Sequence, residues 1–131
     1  MSCPNCGAET LAFPVPASIR EHLPDDRAGA RLCQRCLTVT PADDPPADYP
    51  DFTAIADAFP RDGETAAILA SMLALVDAIA LYREEVEALA TQAEVRGVDV
   101  MLALDRLAAT AGVEPHFDVG RRKRQLEQLL D

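Results

Sequence analysis

Several residue types on which enzymes depend are scarce in this sequence. It has no Trp, four Phe, two Tyr and two His, and its only lysine is Lys123. The sequence contains no glycine-rich phosphate loop, no nucleophile elbow and no pair of histidines spaced along one helix face. His22 and His116 stand apart from each other, and we expect both to be solvated. These absences predict that the protein is not an enzyme.

Positive charge is scarce as well. The chain has 12 Lys and Arg against 22 Asp and Glu, for a formal net charge of −10. Such a surface stays hydrated in molar salt, where the Debye length is about 3 Å, so the composition indicates a protein of a salt-loving archaeon. An acidic protein from another organism with a GC-rich genome is the alternative. In either case we expect weak general binding to nucleic acid, no membrane association and, because no signal peptide precedes the first cysteine, a cytoplasmic location.

Cysteine is also rare, but its placement is specific. Two C-x-x-C pairs contain all four cysteines: Cys3, Cys6, Cys33 and Cys36. Two residues between cysteines allow a tight turn to direct both sulfurs at one ion, and structural zinc prefers four tetrahedral ligands. We predict one structural Zn²⁺ with all four thiolates as ligands; a rubredoxin-like iron site and free or disulfide-bonded thiols are the alternatives. Four cysteines would fill the coordination shell, which argues against a catalytic metal.

The run Cys3-Pro4-Asn5-Cys6-Gly7 resembles the first knuckle of a zinc ribbon, and the resemblance covers about residues 1–40. Zinc ribbons often place Gly after the last cysteine too, where this chain has Leu37. The β-prone residues 37–40 favour a ribbon over a treble clef, in which a helix would begin there. The whole chain also resembles a haloarchaeal protein family of unknown function, in which a similar Cys-Pro-x-Cys-Gly start precedes an Ala-rich, acidic helical part. That resemblance implies no catalytic residues.

The composition changes along the sequence and divides it into three predicted segments. Short β-strands are predicted at 8–15, 30–32 and 37–40, with a short helix at 19–23. Residues 41–50 contain four prolines and three aspartates, which favours an extended linker. The predicted organisation is therefore a zinc-ribbon module (1–40), a linker (41–50) and an α-helical domain (51–131).

The α-helical domain is predicted to be a bundle around one long central helix. Neither Pro nor Gly interrupts residues 64–96, and shorter helices are predicted at 52–59, 100–111 and 118–130. Residues 66–82 carry one charge, Asp77, but acidic flanks favour burial among neighbouring helices over a membrane span. A continuous helix over 64–96 would reach about 50 Å, longer than its neighbours could cover. The surplus predicts a kink or contact with a second copy.

One basic run interrupts the acidic pattern near the start of the last helix: Arg121, Arg122, Lys123 and Arg124. The helix macrodipole disfavours positive charge there, so the run is either a contact for an anion or acidic partner, or pairs with the protein's own carboxylates. We predict a non-enzymatic zinc-binding accessory protein that mediates protein–protein interaction, or self-association through the long helix. The alternative is a nucleic-acid-associated ribbon protein in transcription, RNA handling or translation, supported by the basic run together with Arg31 and Arg35. Phosphate contacts of that kind weaken steeply with salt.

Overall fold

A three-stranded antiparallel sheet opens the fold. The computed structural model describes residues 1–130, and its strands are β1 (Thr10–Pro14), β2 (Gly29–Cys33) and β3 (Val39–Ala42), in the order β1-β2-β3. Thr10 pairs with Cys33 across β1 and β2, and an isolated bridge joins Ser2 to Glu9. This register brings the N-terminal cysteines close to the C-terminal end of β2, at one end of the sheet. The three predicted strands are confirmed, with bounds shifted by a few residues.

Two of the predicted short helices are single 3₁₀ segments, Ala17–His22 and Phe52–Ala54. Four α-helices follow: α1 (Gly63–Val76), α2 (Arg83–Val95), α3 (Val100–Ala109) and α4 (Val119–Leu130). Carboxylates cap the last two helices, because Asp99 and Asp118 accept hydrogen bonds from the backbone N–H groups of the first turns. None of the helices within residues 1–130 combines the length and the apolar character needed to cross a bilayer.

The prediction of one long central helix is wrong. The chain turns at residues 77–82, and α2 folds back on α1, so that Arg96 at the end of α2 forms ion pairs with Asp62 and Glu64 at the start of α1. A continuous helix would have left the apolar face of α2 in water, whereas the turn buries it against α1; tertiary packing therefore decides the outcome. Nearly every side chain of α1 is buried within its own chain. The surplus length that suggested a second copy is thus absent.

One apolar core extends from the sheet into the helices. Phe13 and Leu32 of the sheet belong to the same buried cluster as the apolar residues of α1, α2 and α3. The ring of Phe13 meets that of Phe52 edge to face, with centroids 5.3 Å apart, and Phe52 in turn contacts Phe59 at 5.6 Å. The sheet is therefore packed on the helical part through buried aromatic contacts.

The proline-rich segment is held against both parts. β3 takes in Pro41 and Ala42, the first two residues of the predicted linker. Farther along, Pro45 lies so close to Gly29, and Tyr49 so close to Gly63, that a Cβ at either glycine would collide with them. These glycines are required for close approach, and the segment follows the surface of the sheet and helices as it passes from one to the other.

Candidate metal centre

The first cysteine pair forms a tight knuckle before β1. The Gly7 amide donates to the Cys3 carbonyl at 2.9 Å, and the Cys3 amide donates to the Ala8 carbonyl at 2.7 Å. Gly7 has φ of +80°, in the left-handed region that glycine adopts readily. The backbone N–H of Asn5 donates to the Cys3 sulfur at 3.3 Å. The tight turn that the C-x-x-C spacing predicts is present at this knuckle.

The second cysteine pair repeats this backbone arrangement at the end of β2. The amides of Arg35 and Cys36 donate to the Cys33 sulfur at 3.4 and 3.3 Å, and the Cys33 amide donates to the Thr38 carbonyl at 2.8 Å. Leu37 occupies the position equivalent to Gly7 and also has a positive φ, +64°. The departure from glycine therefore leaves the knuckle geometry unchanged. The Leu37 side chain is fully buried in the apolar core, which supplies a reason for a large residue there.

The four cysteine sulfurs converge on one point. All four Sγ atoms lie within 4.8 Å of one another, with Cys3 to Cys36 at 3.7 Å and Cys6 to Cys33 at 3.4 Å. Four sulfurs placed tetrahedrally about an ion at about 2.3 Å would be about 3.8 Å apart, which matches these two distances closely. Cys6 is half-buried, the other three are buried, and all four are free thiols. The cluster can hold a metal ion, which is consistent with zinc and with a zinc-ribbon-like module.

Hydrogen bonds around Cys36 favour its thiolate. Burial alone would raise the pKa of the Cys36 thiol, but hydrogen bonds with Thr38 and from the Asn5 side chain outweigh it and lower the pKa to about 6. The Thr38 Oγ1 lies 3.0 Å from the Cys36 sulfur. Burial dominates at the neighbouring Cys33 and raises its pKa to about 12. One thiol of the pair is therefore prepared to lose its proton, and a bound cation would be needed to deprotonate the other.

Ion pairs within the chain engage two of the four residues of the basic run. Arg122 contacts Asp77 at 3.1 Å, and Lys123 contacts Asp105 at 2.9 Å and Glu127 at 3.9 Å. Over residues 1–130, Arg121 and Arg124 form no ion pair, and both are exposed. The pairing with the protein's own carboxylates that the sequence suggested is thus observed for two of the four residues.

The side chains of the two histidines and of Arg31 and Arg35 are not part of the cysteine cluster. His116 is exposed and His22 is half-buried; His22 lies 3.9 Å from Glu21. Arg35 lies inside the second knuckle and is exposed, whereas Arg31 lies in β2.

Sequence reasoning missed three contacts around the cluster. These are the hydrogen bond from the Asn5 side chain to the Cys36 sulfur, the hydrogen bond between the Thr38 hydroxyl and that sulfur, and the approach of residues 114–116 to the second knuckle. Thr38 follows the last cysteine by two residues, a spacing that could have identified it. Residues 114–116 are far away in the sequence and carry no signal of this contact.

Residues 2–130 match a family described as a family of unknown function (DUF6276). The chain belongs to this family. No curated protein and no solved structure matches the chain. The family therefore supplies no activity, and the cysteine cluster is the feature of the fold from which a function can be argued.

Proposed function

We propose that this protein binds one Zn²⁺ through Cys3, Cys6, Cys33 and Cys36, and that the ion has a structural role. The observation that carries the proposal is the convergence of four sulfurs within 4.8 Å of one another, with two separations, 3.7 and 3.4 Å, near the value for a tetrahedral site. Four thiolates complete the preferred shell of zinc and leave no position for water or substrate. The N–H groups of Asn5, Arg35 and Cys36 would offset the negative charge of the loaded site.

The ion would stabilise a part of the fold that has a small core of its own. The sheet is short, and structural zinc contributes about 10–16 kcal/mol of apparent binding free energy in small peptides. A filled coordination shell supports a non-enzymatic role for the metal. We propose further that the protein is an accessory protein of the cytoplasm that acts by contacting another protein. Because α1 is buried within its own chain, such contact would use the exposed surface and not a long apolar helix.

The nucleic-acid alternative has less support. Arg122 and Lys123 are engaged by Asp77 and Asp105, which leaves fewer cations to neutralise phosphates. The protein also carries a net charge of −10, which repels a polyanion. We therefore retain the accessory role as the proposed function.

Metal analysis of the purified full chain tests the proposal. We expect one zinc per chain and no visible absorption, whereas iron on four thiolates would give a coloured protein. Cys36→Ser should abolish stoichiometric zinc, because it removes one of four ligands. Leu32→Ala is the matched control, since it weakens the same sheet without removing a ligand, and it should retain one zinc per chain. Zinc loss in both variants, or in neither, would contradict the proposed ligand set.

A further inference from the structure

The connection between α3 and α4 is docked on the second knuckle. The Glu114 amide donates to the Arg35 carbonyl at 2.7 Å, and the His116 amide donates to the Cys36 carbonyl at 2.9 Å. These bonds join residues near the C-terminus to the backbone that positions two of the four sulfurs. They are the direct route by which the state of the cysteine cluster reaches a distant part of the chain.

Buried side chains flank these two hydrogen bonds. Val113 and Phe117 are 7% and 8% exposed, and both belong to the apolar core that also contains Leu37. The knuckle therefore contacts the connection through its backbone carbonyls, and the Leu37 side chain lies in the same core as the two side chains that flank these bonds. A change in the conformation of residues 33–37 would withdraw the two carbonyls and disturb that packing together.

We infer that metal occupancy controls the docking of residues 113–117, so that the cysteine cluster acts as a metal-dependent clasp on the α3–α4 connection. The inference rests on the proposed metal site. Without an ion, nothing joins the sulfurs of Cys33 and Cys36 to those of the first knuckle. The segment between Cys33, which is held in β2, and Leu37, which is held in the core, then keeps only its hydrogen bonds, and the amides of Glu114 and His116 have less fixed acceptors. Because coupling between two equilibria is reciprocal, docking of the connection also strengthens metal binding by the same factor.

The effect is confined to the connection. α4 begins at Val119 and has its own anchors, since Leu126 is fully buried and Arg122 and Lys123 are paired with carboxylates on other elements. Metal loss therefore releases residues 113–117, while α4 stays in place. This predicts a local change in mobility and not a general loss of helix.

Residue-resolved hydrogen exchange on the ¹⁵N-labelled full chain tests the clasp. Removal of zinc with a chelator should speed exchange of the Glu114 and His116 amides at least about tenfold, together with the Cys33 amide. Amides in the centre of α1, such as that of Ile68, should keep their rates. Faster exchange at Cys33 with unchanged rates at Glu114 and His116 would overturn the clasp but would not contradict the metal site. A chain that binds no zinc at all would overturn the metal site and the clasp with it.

A pair of variants tests the reciprocal effect, including the case in which the metal-free chain unfolds. Glu114→Pro removes the N–H that donates to Arg35, and Glu114→Ala keeps it; residue 114 lies outside every helix and strand. In competition with a zinc chelator, we expect about two- to tenfold weaker zinc binding for the Pro variant, the range that one net hydrogen bond supports. The Ala variant should match the unmodified protein. Equal zinc affinities for the two variants would overturn the clasp.

Discussion

At the scale of single residues, the two knuckles use different residue types for the same backbone conformation. Gly7 has φ of +80° in open space, so conformational freedom alone accounts for glycine there. Leu37 has φ of +64°, which costs a non-glycine residue about 1–2 kcal/mol. Full burial of a leucine side chain contributes about 1.5–3 kcal/mol and offsets that cost. The second knuckle is thus held in part by the core.

We predict that Leu37→Gly destabilises the zinc-loaded protein less than Leu37→Ala, by about 1 kcal/mol. Both variants lose the buried side chain, but only glycine relieves the left-handed backbone. Denaturant unfolding would measure the difference, with Leu32→Gly and Leu32→Ala as the matched control. Leu32 is equally buried without a positive φ, so glycine should be the less stable residue there. The same order at both positions would contradict the argument from backbone strain.

The sequence identified the four clustered cysteines because the spacing within each C-x-x-C pair is local. It did not identify Asn5 as a partner of the Cys36 sulfur, since that hydrogen bond depends on how the two knuckles face each other. The contact of Thr38 with the same sulfur is local, and its two-residue spacing could have identified it. The sequence could not identify Glu114 and His116, whose contribution is a backbone N–H that any residue except proline would supply. Chemistry carried by side-chain type was predictable, and chemistry carried by backbone position was not.

At the scale of elements, the start of α1 depends on a carboxylate cap. Asp62 accepts hydrogen bonds from the Thr65 amide at 3.1 Å and from the Thr65 hydroxyl at 2.6 Å. The Thr65 hydroxyl and amide together hold the pKa of Asp62 below its ordinary value of 3.8. The cap is therefore strongest when the carboxylate is charged, at the positive end of the helix dipole.

This cap predicts a pH dependence with a definite sign. Because the folded pKa of Asp62 is lower than its unfolded pKa, the contribution to stability is complete above about pH 5 and is lost as the pH falls through the folded pKa. The free energy of unfolding should therefore differ most between the unmodified protein and Asp62→Ala above pH 5. Thermal or urea unfolding from pH 7 to pH 3 would show that difference narrowing.

Proton competition for the cysteine thiolates affects both proteins in that comparison, so the difference between them isolates the carboxylate. Asp48→Ala, at an exposed position in the proline-rich segment, is the control. Its free energy of unfolding should equal that of the unmodified protein throughout the pH range. A difference for Asp62→Ala that widens on acidification would contradict the predicted role of the carboxylate.

The helices also show where element prediction from sequence fails. The absence of Pro and Gly over residues 64–96 predicted one helix, yet the chain turns after Val76. Glu84 and Glu85 in the first turn of α2 are the residue types favoured at a helix start, and they were a local sign of the break. The turn itself is decided by burial of Val86, Leu89 and other residues of α2 against the rest of the core, which no local pattern encodes.

At the scale of the whole molecule, ion pairs connect elements that are distant in the sequence. Arg122 in α4 donates from Nε to Oδ1 of Asp77, which lies in the turn between α1 and α2, and its Nη2 lies 3.1 Å from the same oxygen. Lys123 reaches Asp105 in α3. The side chains of Asp77 and Arg122 are 46% and 20% exposed, so solvent screens their attraction. The basic run therefore helps to position α4 in an otherwise acidic protein.

A double-mutant cycle on Asp77→Asn and Arg122→Gln should give a coupling energy of about 0.2–1 kcal/mol at low salt. The coupling should shrink towards zero in molar salt, where charges are screened over about 3 Å. The control cycle pairs Asp77→Asn with Arg121→Gln, because Arg121 is exposed and adjacent in sequence but does not contact Asp77. Coupling that is equal in both cycles would contradict a specific pair.

Because the core is shared between the sheet and the helices, part of it is synthesised before the residues that cover it. The sheet and all four cysteines leave the ribosome before α1, so Phe13 and Leu37 emerge without the helices that later cover them. A chain that stalls before residue 63 would already carry all four cysteines of the cluster while its apolar face remained open to solvent. Under the proposed function, metal loading and completion of the core are thus separate events in the life of a new chain. The interval between them is when this protein is most vulnerable to aggregation and proteolysis.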